Sequence, residues 1–146
     1  MWFSKTKPQP ETPFFEWSSR DHSVGVPAFD REHEHLAGIV SKVHAALKRK
    51  PDRARALELL DELIQETRNH FAHEEQALEA AGFEGLEEHA EEHSALLEEI
   101  RDMTRQFKAG SLSALSLPTF LRNWLIPHVQ GSDRKYAAVL RRHRNL

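Results

Sequence analysis

The chain has 146 residues, a length typical of one domain, and its 39% apolar and 29% charged residues are ordinary for a globular protein. It has no cysteine, which excludes disulfides, thiolate metal ligands and iron–sulfur clusters. No stretch reaches the roughly 18 apolar residues of a membrane span, so we expect no membrane insertion. The lack of cysteine fits a cytoplasmic location, which we therefore predict.

The net charge of −3 is spread unevenly. The segment from Glu74 to Glu99 contains ten glutamates and no Asp, Lys or Arg, whereas the segment from Arg134 to the end contains five Lys or Arg and no acid. We interpret these as two solvated helix faces that attract one another. No aromatic residues interleave with the arginines, so no nucleic-acid partner is predicted.

The chain begins with MWFSKTKPQPETPFF, which contains three prolines and no continuous apolar segment. This composition is unlike a signal peptide. We predict an N-terminal extended arm with little regular structure at residues 1–15, followed by one domain at residues 16–146.

Glycine and proline divide that domain into four segments of helical length, at about 30–49, 53–80, 86–109 and 118–143. Each segment carries an apolar stripe with helical spacing, and none alternates with period 2. The predicted fold class is all-α. Because short connections favour antiparallel neighbours, the predicted architecture is an up-down-up-down four-helix bundle. The last stripe comprises Phe120, Leu121, Trp124, Leu125, Val129, Val139 and Leu140.

Five of the ten histidines lie on or beside these stripes, where helical geometry directs their imidazoles toward the core. They are His33, His70, His89, His93 and His128. Glu74 joins them, four residues after a stripe histidine. Asp133 follows His128 by five residues, about 140° around an ideal helix. For both to face one point the helix must deform, and we expect a π-bulge or loosened turn near Gly131.

This combination indicates a metal centre. A single histidine on an apolar face is usually a core or rim residue, but burying five imidazoles and two carboxylates without partners costs about 1–3 kcal/mol for each group. Seven donors exceed the needs of one tetrahedral zinc and suit two ions that share bridging carboxylates. A nitrogen-rich set without thiolates favours iron over manganese or zinc.

Two other metalloproteins fit less well. The sequence HAEEH at 89–93 matches the H-x-x-E-H signature of zinc peptidases, but that assignment leaves three inward histidines unexplained. A ferritin-like oxidase requires two Glu-x-x-His pairs. The chain has one such spacing, Glu32 with His35.

Four blocks resemble the hemerythrin family: SVGVPAFDREHEHL (23–36), HFAHEE (70–75), HAEEH (89–93) and WLIPHVQGSDRKY (124–136). Each block is weak alone, but together and in this order they are specific. The resemblance implies an antiparallel four-helix bundle with a non-haem di-iron centre that binds O2 reversibly.

The resemblance also implies residue roles. His89, His93 and His128 would hold one iron, and His33 and His70 the other. Glu74 and Asp133 would bridge the two iron ions together with an oxo or hydroxo group, which leaves one iron a vacant position for O2. Residues next to these ligands would wall a dry O2 pocket: Leu36, Phe71, Trp124, Leu125 and Val129, with Trp17 as a lid.

Features outside this ligand set carry further expectations. Pro127 is unusual in mid-helix and is expected to kink the last helix beside His128. The histidines that match no ligand position are expected at the surface or rim: His22, His35, His44, His73 and His143.

Three classes of function remain open. The first is an O2-binding protein, not an enzyme, for oxygen carriage, storage or delivery, with an oxygen-consuming protein as a candidate partner. The second is a sensor of O2, NO or redox state, and the third is an enzyme that processes NO or peroxide at the same irons.

Overall fold

The computed structural model describes residues 17–48 and 50–142. The predicted arm at residues 1–15 and His143 therefore lie outside the described residues. The described part of the chain contains six helices: α1 (Ser19–His22), α2 (Pro27–Leu47), α3 (Arg53–Ala80), α4 (Leu86–Ala109), α5 (Leu117–Gln130) and α6 (Ser132–Arg142).

The four long helices α2 to α5 form the bundle. Helix α2 packs against α3 and α5, and α4 packs against the same two helices, which closes a four-membered ring. The connections between consecutive helices span only a few residues, so neighbours along the chain run antiparallel. The prediction of an all-α four-helix bundle is confirmed. The short helix α1, which was not predicted, packs on α5.

Local capping explains where the first two long helices begin. Helix α2 starts with Pro27, a residue suited to a first helical turn. Asp30 in that turn accepts hydrogen bonds from the Val24 amide at 2.8 Å and the Ser23 hydroxyl at 2.6 Å. Helix α3 follows Asp52, whose side chain accepts a hydrogen bond from the Arg55 amide at 3.0 Å.

The segment predicted as one helix over 118–143 consists of two helices, which meet at Gly131. The expected loosened turn is therefore found. Pro127 does not end α5, which continues to Gln130. A Cβ atom at Gly131 would lie 2.9 Å from the Pro127 carbonyl oxygen, so this break requires glycine. The break reorients the chain just before Asp133.

Most residues of the predicted apolar stripes lie in the bundle core or pack against it, whereas Val139 is only half-buried. The stripe prediction was wrong for Phe120, which is 50% exposed, because α5 turns this residue away from its neighbours. Burying a large aliphatic or aromatic side chain contributes about 1.5–3 kcal/mol. The buried core includes Val40, Val43, Leu60, Leu63, Ile100, Phe107 and Leu121. No described helix has an apolar stretch long enough to cross a membrane.

We predict opposite effects on stability for two glycine-to-alanine substitutions. Gly110 ends α4 with φ of 84°, and Gly110→Ala should lower the free energy of unfolding by about 1–2 kcal/mol because the left-handed region disfavours a Cβ. Gly38 is exposed within α2 with open space around it, and Gly38→Ala should raise that free energy by about 0.5–1 kcal/mol. Urea denaturation measures both. Equal shifts for the two variants would contradict the prediction.

Candidate metal centre

The seven donor residues predicted from the sequence lie together inside the bundle. Helix α2 contributes His33, α3 contributes His70 and Glu74, α4 contributes His89 and His93, α5 contributes His128, and α6 contributes Asp133. All seven are buried, and both carboxylates are 0% exposed. Their donor atoms form two overlapping groups that could each hold a metal ion. One comprises Glu74, His89, His93, His128 and Asp133, and the other His33, His70, Glu74 and Asp133.

The carboxylate of Glu74 faces both groups. Its Oε2 lies 3.2 Å from His70 Nε2 and 3.5 Å from His33 Nε2. Its Oε1 lies 3.0 Å from His93 Nε2. One oxygen therefore points to each group.

The two carboxylate oxygens of Asp133 also face different donor groups. Its Oδ2 lies 2.9 Å from His33 Nε2. Its Oδ1 lies 2.9 Å from His128 Nε2 and 3.4 Å from His89 Nε2. Two atoms that bind one metal at about 2.1 Å and at right angles are themselves about 3 Å apart. The separations around both carboxylates match that spacing.

These close approaches are not ordinary hydrogen bonds. The inward Nε2 atoms of all five imidazoles, Oε1 of Glu74 and both oxygens of Asp133 have no hydrogen-bond partner despite their burial. Leaving buried polar atoms unsatisfied costs about 1–3 kcal/mol for each group. Because the unsatisfied atoms converge on shared points, a nitrogen- and oxygen-binding cation fits the site.

Three outer carboxylates orient three of the imidazoles. Each accepts a hydrogen bond from an Nδ1–H group, which leaves the lone pair of Nε2 pointing inward. Glu32 on α2 accepts from His70 on α3 at 2.6 Å, and Glu75 on α3 accepts from His93 on α4 at 2.9 Å. In the third pair, Glu92 on α4 accepts from His128 on α5 at 2.9 Å.

Sequence reasoning missed these outer carboxylates, although a signal was present. Glu32, Glu75 and Glu92 each adjoin one of the seven donors in the sequence. A residue next to an inward position is rotated by about 100° and so faces the neighbouring helix. An acid at such a position can reach a histidine across the helix interface.

Tyr136 was also missed. It is fully buried on α6, and its hydroxyl donates a hydrogen bond to Oε2 of Glu74. Burial and the negative charges of Glu74 and Asp133 hold the pKa of Tyr136 well above its ordinary value, so the hydroxyl keeps its proton. Its spacing of three residues from Asp133 places it one helical turn away, which the sequence could have revealed.

The pKa values of the acids and histidines are displaced in opposite directions. Burial opposes the charge on Glu74, but the neighbouring His70 and His33 outweigh it and hold the pKa of this carboxyl well below its usual value. Burial lowers the pKa of His70, but the charge of Glu74 and the hydrogen bond to Glu32 raise it to about 10. Both carboxylates of the centre are therefore anionic, because the pKa of Asp133 is lowered as well.

An apolar cavity of about 10 Å³ adjoins the centre. That volume is at the lower limit for one water molecule. The Trp124 Nε1–H donates to the Leu96 carbonyl at 2.8 Å, which leaves no free polar group on that ring. Three donor histidines border the cavity, and its remaining walls are Leu36, Phe71, Leu96, Trp124, Leu125 and Val129.

Trp17 does not line this cavity. The Trp17 ring instead lies next to two imidazoles, with its centroid 5.9 Å from that of His33 and 5.1 Å from that of His22. The expectation that His22 lies at the surface or rim was wrong, since it is 8% exposed and accepts a hydrogen bond from the Ser18 amide. His35 is exposed, and His73 is exposed with a hydrogen bond to Glu32.

Comparison with known proteins identifies similar chains. Residues 24–140 match the family described as Hemerythrin HHE cation binding domain. A bacteriohemerythrin from Stenotrophomonas maltophilia (strain R551-3) is 30% identical over 125 residues, covering 86% of this chain and 81% of that protein. A myohemerythrin from Riftia pachyptila is 31% identical over 117 residues, covering 80% and 87%. A solved structure of wild-type hemerythrin superposes with a TM-score of 0.78 at 26% identity, covering 87% and 98%.

The unsatisfied donor atoms predict that a divalent metal stabilises the protein. Adding Co²⁺ to metal-depleted protein, at a free concentration about 1,000-fold above its dissociation constant, should contribute about 4 kcal/mol. For a domain of this size, that corresponds to a rise of roughly 10 °C in the thermal unfolding midpoint. Calorimetry with Mg²⁺ as the control measures the effect. A rise with Mg²⁺ equal to that with Co²⁺ would show non-specific charge neutralisation instead.

Proposed function

Because this chain belongs to the hemerythrin family, we propose that it holds two iron ions at the buried centre and binds O2 reversibly. The observation that carries this proposal is the convergence of unsatisfied nitrogen and oxygen atoms beside a small apolar cavity. The iron ions supply the reducing equivalents for reversible O2 binding. The chain holds the ions, orients the ligands and excludes water.

In the proposed site, His89, His93 and His128 hold one iron, and His33 and His70 hold the other. Glu74 and Asp133 would bridge the ions. Support comes from the orientation of the two carboxylates, each of which directs one oxygen to each donor group. The solvent-derived oxo or hydroxo bridge expected from the family completes the proposal.

The two donor groups are unequal, and this inequality supports a binding position for O2. One group contains five residues and the other four, and the smaller group has one histidine fewer. Both histidines of the smaller group, His33 and His70, border the apolar cavity. We propose that O2 enters this cavity and binds on that side of the centre.

The composition of the cavity wall supports binding rather than turnover. Apart from three imidazoles already assigned as ligands, the described residues that line the cavity are apolar. Proton-dependent conversion of bound O2 needs a donor, and the indole N–H of Trp124 is engaged by the Leu96 carbonyl. We therefore propose a role in oxygen carriage, storage or delivery, not an enzymatic one.

The proposal extends to the domain organisation, the location and the partner of the protein. The domain at residues 16–146 would function as one hemerythrin-like unit behind the arm at 1–15. The absence of cysteine supports a cytoplasmic location. An oxygen-consuming protein is the candidate partner.

Iron content tests the proposed ligands. Wild-type protein loaded with Fe²⁺ under argon and then desalted should retain two iron ions per chain. His89→Ala and Glu74→Ala should retain fewer, because each removes a buried donor. His35→Ala is the matched control, since its imidazole is exposed on α2. Full iron content in both ligand variants, measured by elemental analysis, would refute the assignment.

Reversible O2 binding tests the proposed function. The visible spectrum of the reduced, iron-loaded protein is recorded under argon, after air is admitted, and after the gas is removed again. We expect a coloured band that appears with O2 and disappears on removal. Immediate and irreversible oxidation would contradict carriage and would instead favour redox sensing or turnover of NO or peroxide.

A further inference from the structure

His33 differs from three other donor histidines in the surroundings of its outer nitrogen. The Nδ1 atoms of His70, His93 and His128 each bind a glutamate on a neighbouring helix. The Nδ1 atom of His33 is buried and has no hydrogen-bond partner in the part of the chain that the structure describes. The residue is only 1% exposed, so bulk water does not reach this nitrogen. His33 is therefore a candidate ligand without an outer carboxylate.

This difference has a direct consequence for metal binding. When Nε2 of a neutral imidazole binds a metal, Nδ1 carries the proton. An acceptor for that proton fixes the ring and makes Nε2 a stronger donor, and its removal typically lowers metal affinity about 10- to 100-fold. His33 directs Nε2 inward, 2.9 Å from Asp133 Oδ2, but its Nδ1–H group would remain buried without an acceptor. We therefore expect His33 to be a weaker ligand than the histidines with glutamate partners.

An indole ring packs beside the His33 imidazole. The centroid of Trp17 lies 5.9 Å from that of His33, and the two ring planes are inclined by 42°. The polar group of an indole is an N–H donor, so Trp17 does not replace a carboxylate as an acceptor. Its contact with His33 instead limits the rotation of the imidazole by packing.

Contacts with α5 and α6 hold the segment that carries Trp17. Helix α1, which begins two residues later, packs on α5. The backbone carbonyl of Asp21 accepts a hydrogen bond from Gln130 Nε2 at 3.4 Å and another from the guanidinium of Arg134. Gln130 and Arg134 flank the break at Gly131. The indole is thus anchored to the same part of the chain that orients the bridging aspartate.

The two donor groups consequently differ in more than their number of histidines. The larger group contains His89 together with His93 and His128, which both have outer glutamates. The smaller group contains His70, which has an outer glutamate, and His33, which does not. An ion in the smaller group would have fewer nitrogen ligands, and one of them is the weaker kind.

We propose that the ion on the side of His33 and His70 is the more weakly bound of the two, and that Trp17 is a positioning residue that sets its affinity. The inference rests on the two-ion centre proposed above. Packing by Trp17 restricts the His33 ring in place of the hydrogen bond that orients three of the other imidazoles. Without the indole, the ring gains rotational freedom and Nε2 turns away from the ion, which weakens binding at the smaller group alone.

Stepwise Co²⁺ binding tests this proposal. Metal-free, full-length protein is titrated with Co²⁺ against a competing chelator, and the visible absorption of the bound ions gives two dissociation constants. In the wild-type protein the second constant should exceed the first by about 10- to 100-fold. Trp17→Ala should raise the second constant by a further factor of about ten and leave the first unchanged. Trp17→Phe, which keeps a flat ring, should restore most of the wild-type value.

Three further variants assign each step and control for the loss of a ring. Glu32→Gln removes the charge behind His70 in the smaller group and should raise the second constant. Glu75→Gln removes the charge behind His93 in the larger group and should raise the first. Phe120→Ala removes a half-exposed aromatic ring from α5 and should leave both constants unchanged. If Trp17→Ala does not fold, Trp17→Leu removes the flat ring while keeping apolar bulk.

Each contrary result overturns a defined part of the proposal. Two equal constants in the wild-type protein would overturn the inequality of the two ions. An equal effect of the Trp17 variants on both steps would make Trp17 a general structural residue. A larger effect of Glu75→Gln on the second step would place the weaker ion in the larger group. Fewer than two Co²⁺ per wild-type chain would overturn the two-ion centre itself.

Discussion

Two anionic carboxylates buried in the middle of the bundle constrain the rest of the structure. Glu74 and Asp133 are 0% exposed, and charges removed from water are costly unless opposite charges or donors compensate them. Five imidazoles from four helices, together with the Tyr136 hydroxyl, surround the pair. The remaining inward atoms form two groups that could each hold a metal ion.

The outer carboxylates couple this centre to the packing of the helices. Glu32, Glu75 and Glu92 each adjoin a donor on their own helix and bind a donor imidazole on the next helix, linking α2 to α3, α3 to α4 and α4 to α5. Among the described residues, no fourth carboxylate of this kind links α5 to α2. There the outer face of His33 meets the ring of Trp17 instead of an acid. The orientation of these three donor imidazoles therefore depends on how neighbouring helices pack.

The surroundings of the centre differ from side to side, and the proposed roles follow that difference. The cavity beside Phe71 and Trp124 is apolar and too small for more than one water, which suits a diatomic gas. A crevice beside His89 is lined by charged side chains instead. In the proposed function, O2 reaches the buried centre from the apolar side.

By itself, the sequence determined the three helical segments before residue 110 and the inward direction of the seven candidate donors, because both follow from periodicity along one helix. It also indicated a deformation near Gly131, since the spacing of His128 and Asp133 does not fit a regular helix. Only the tertiary structure decided which carboxylate orients which imidazole, that His22 is buried and that Phe120 is exposed. Those properties depend on the distance and rotation of neighbouring helices, which no single helix encodes.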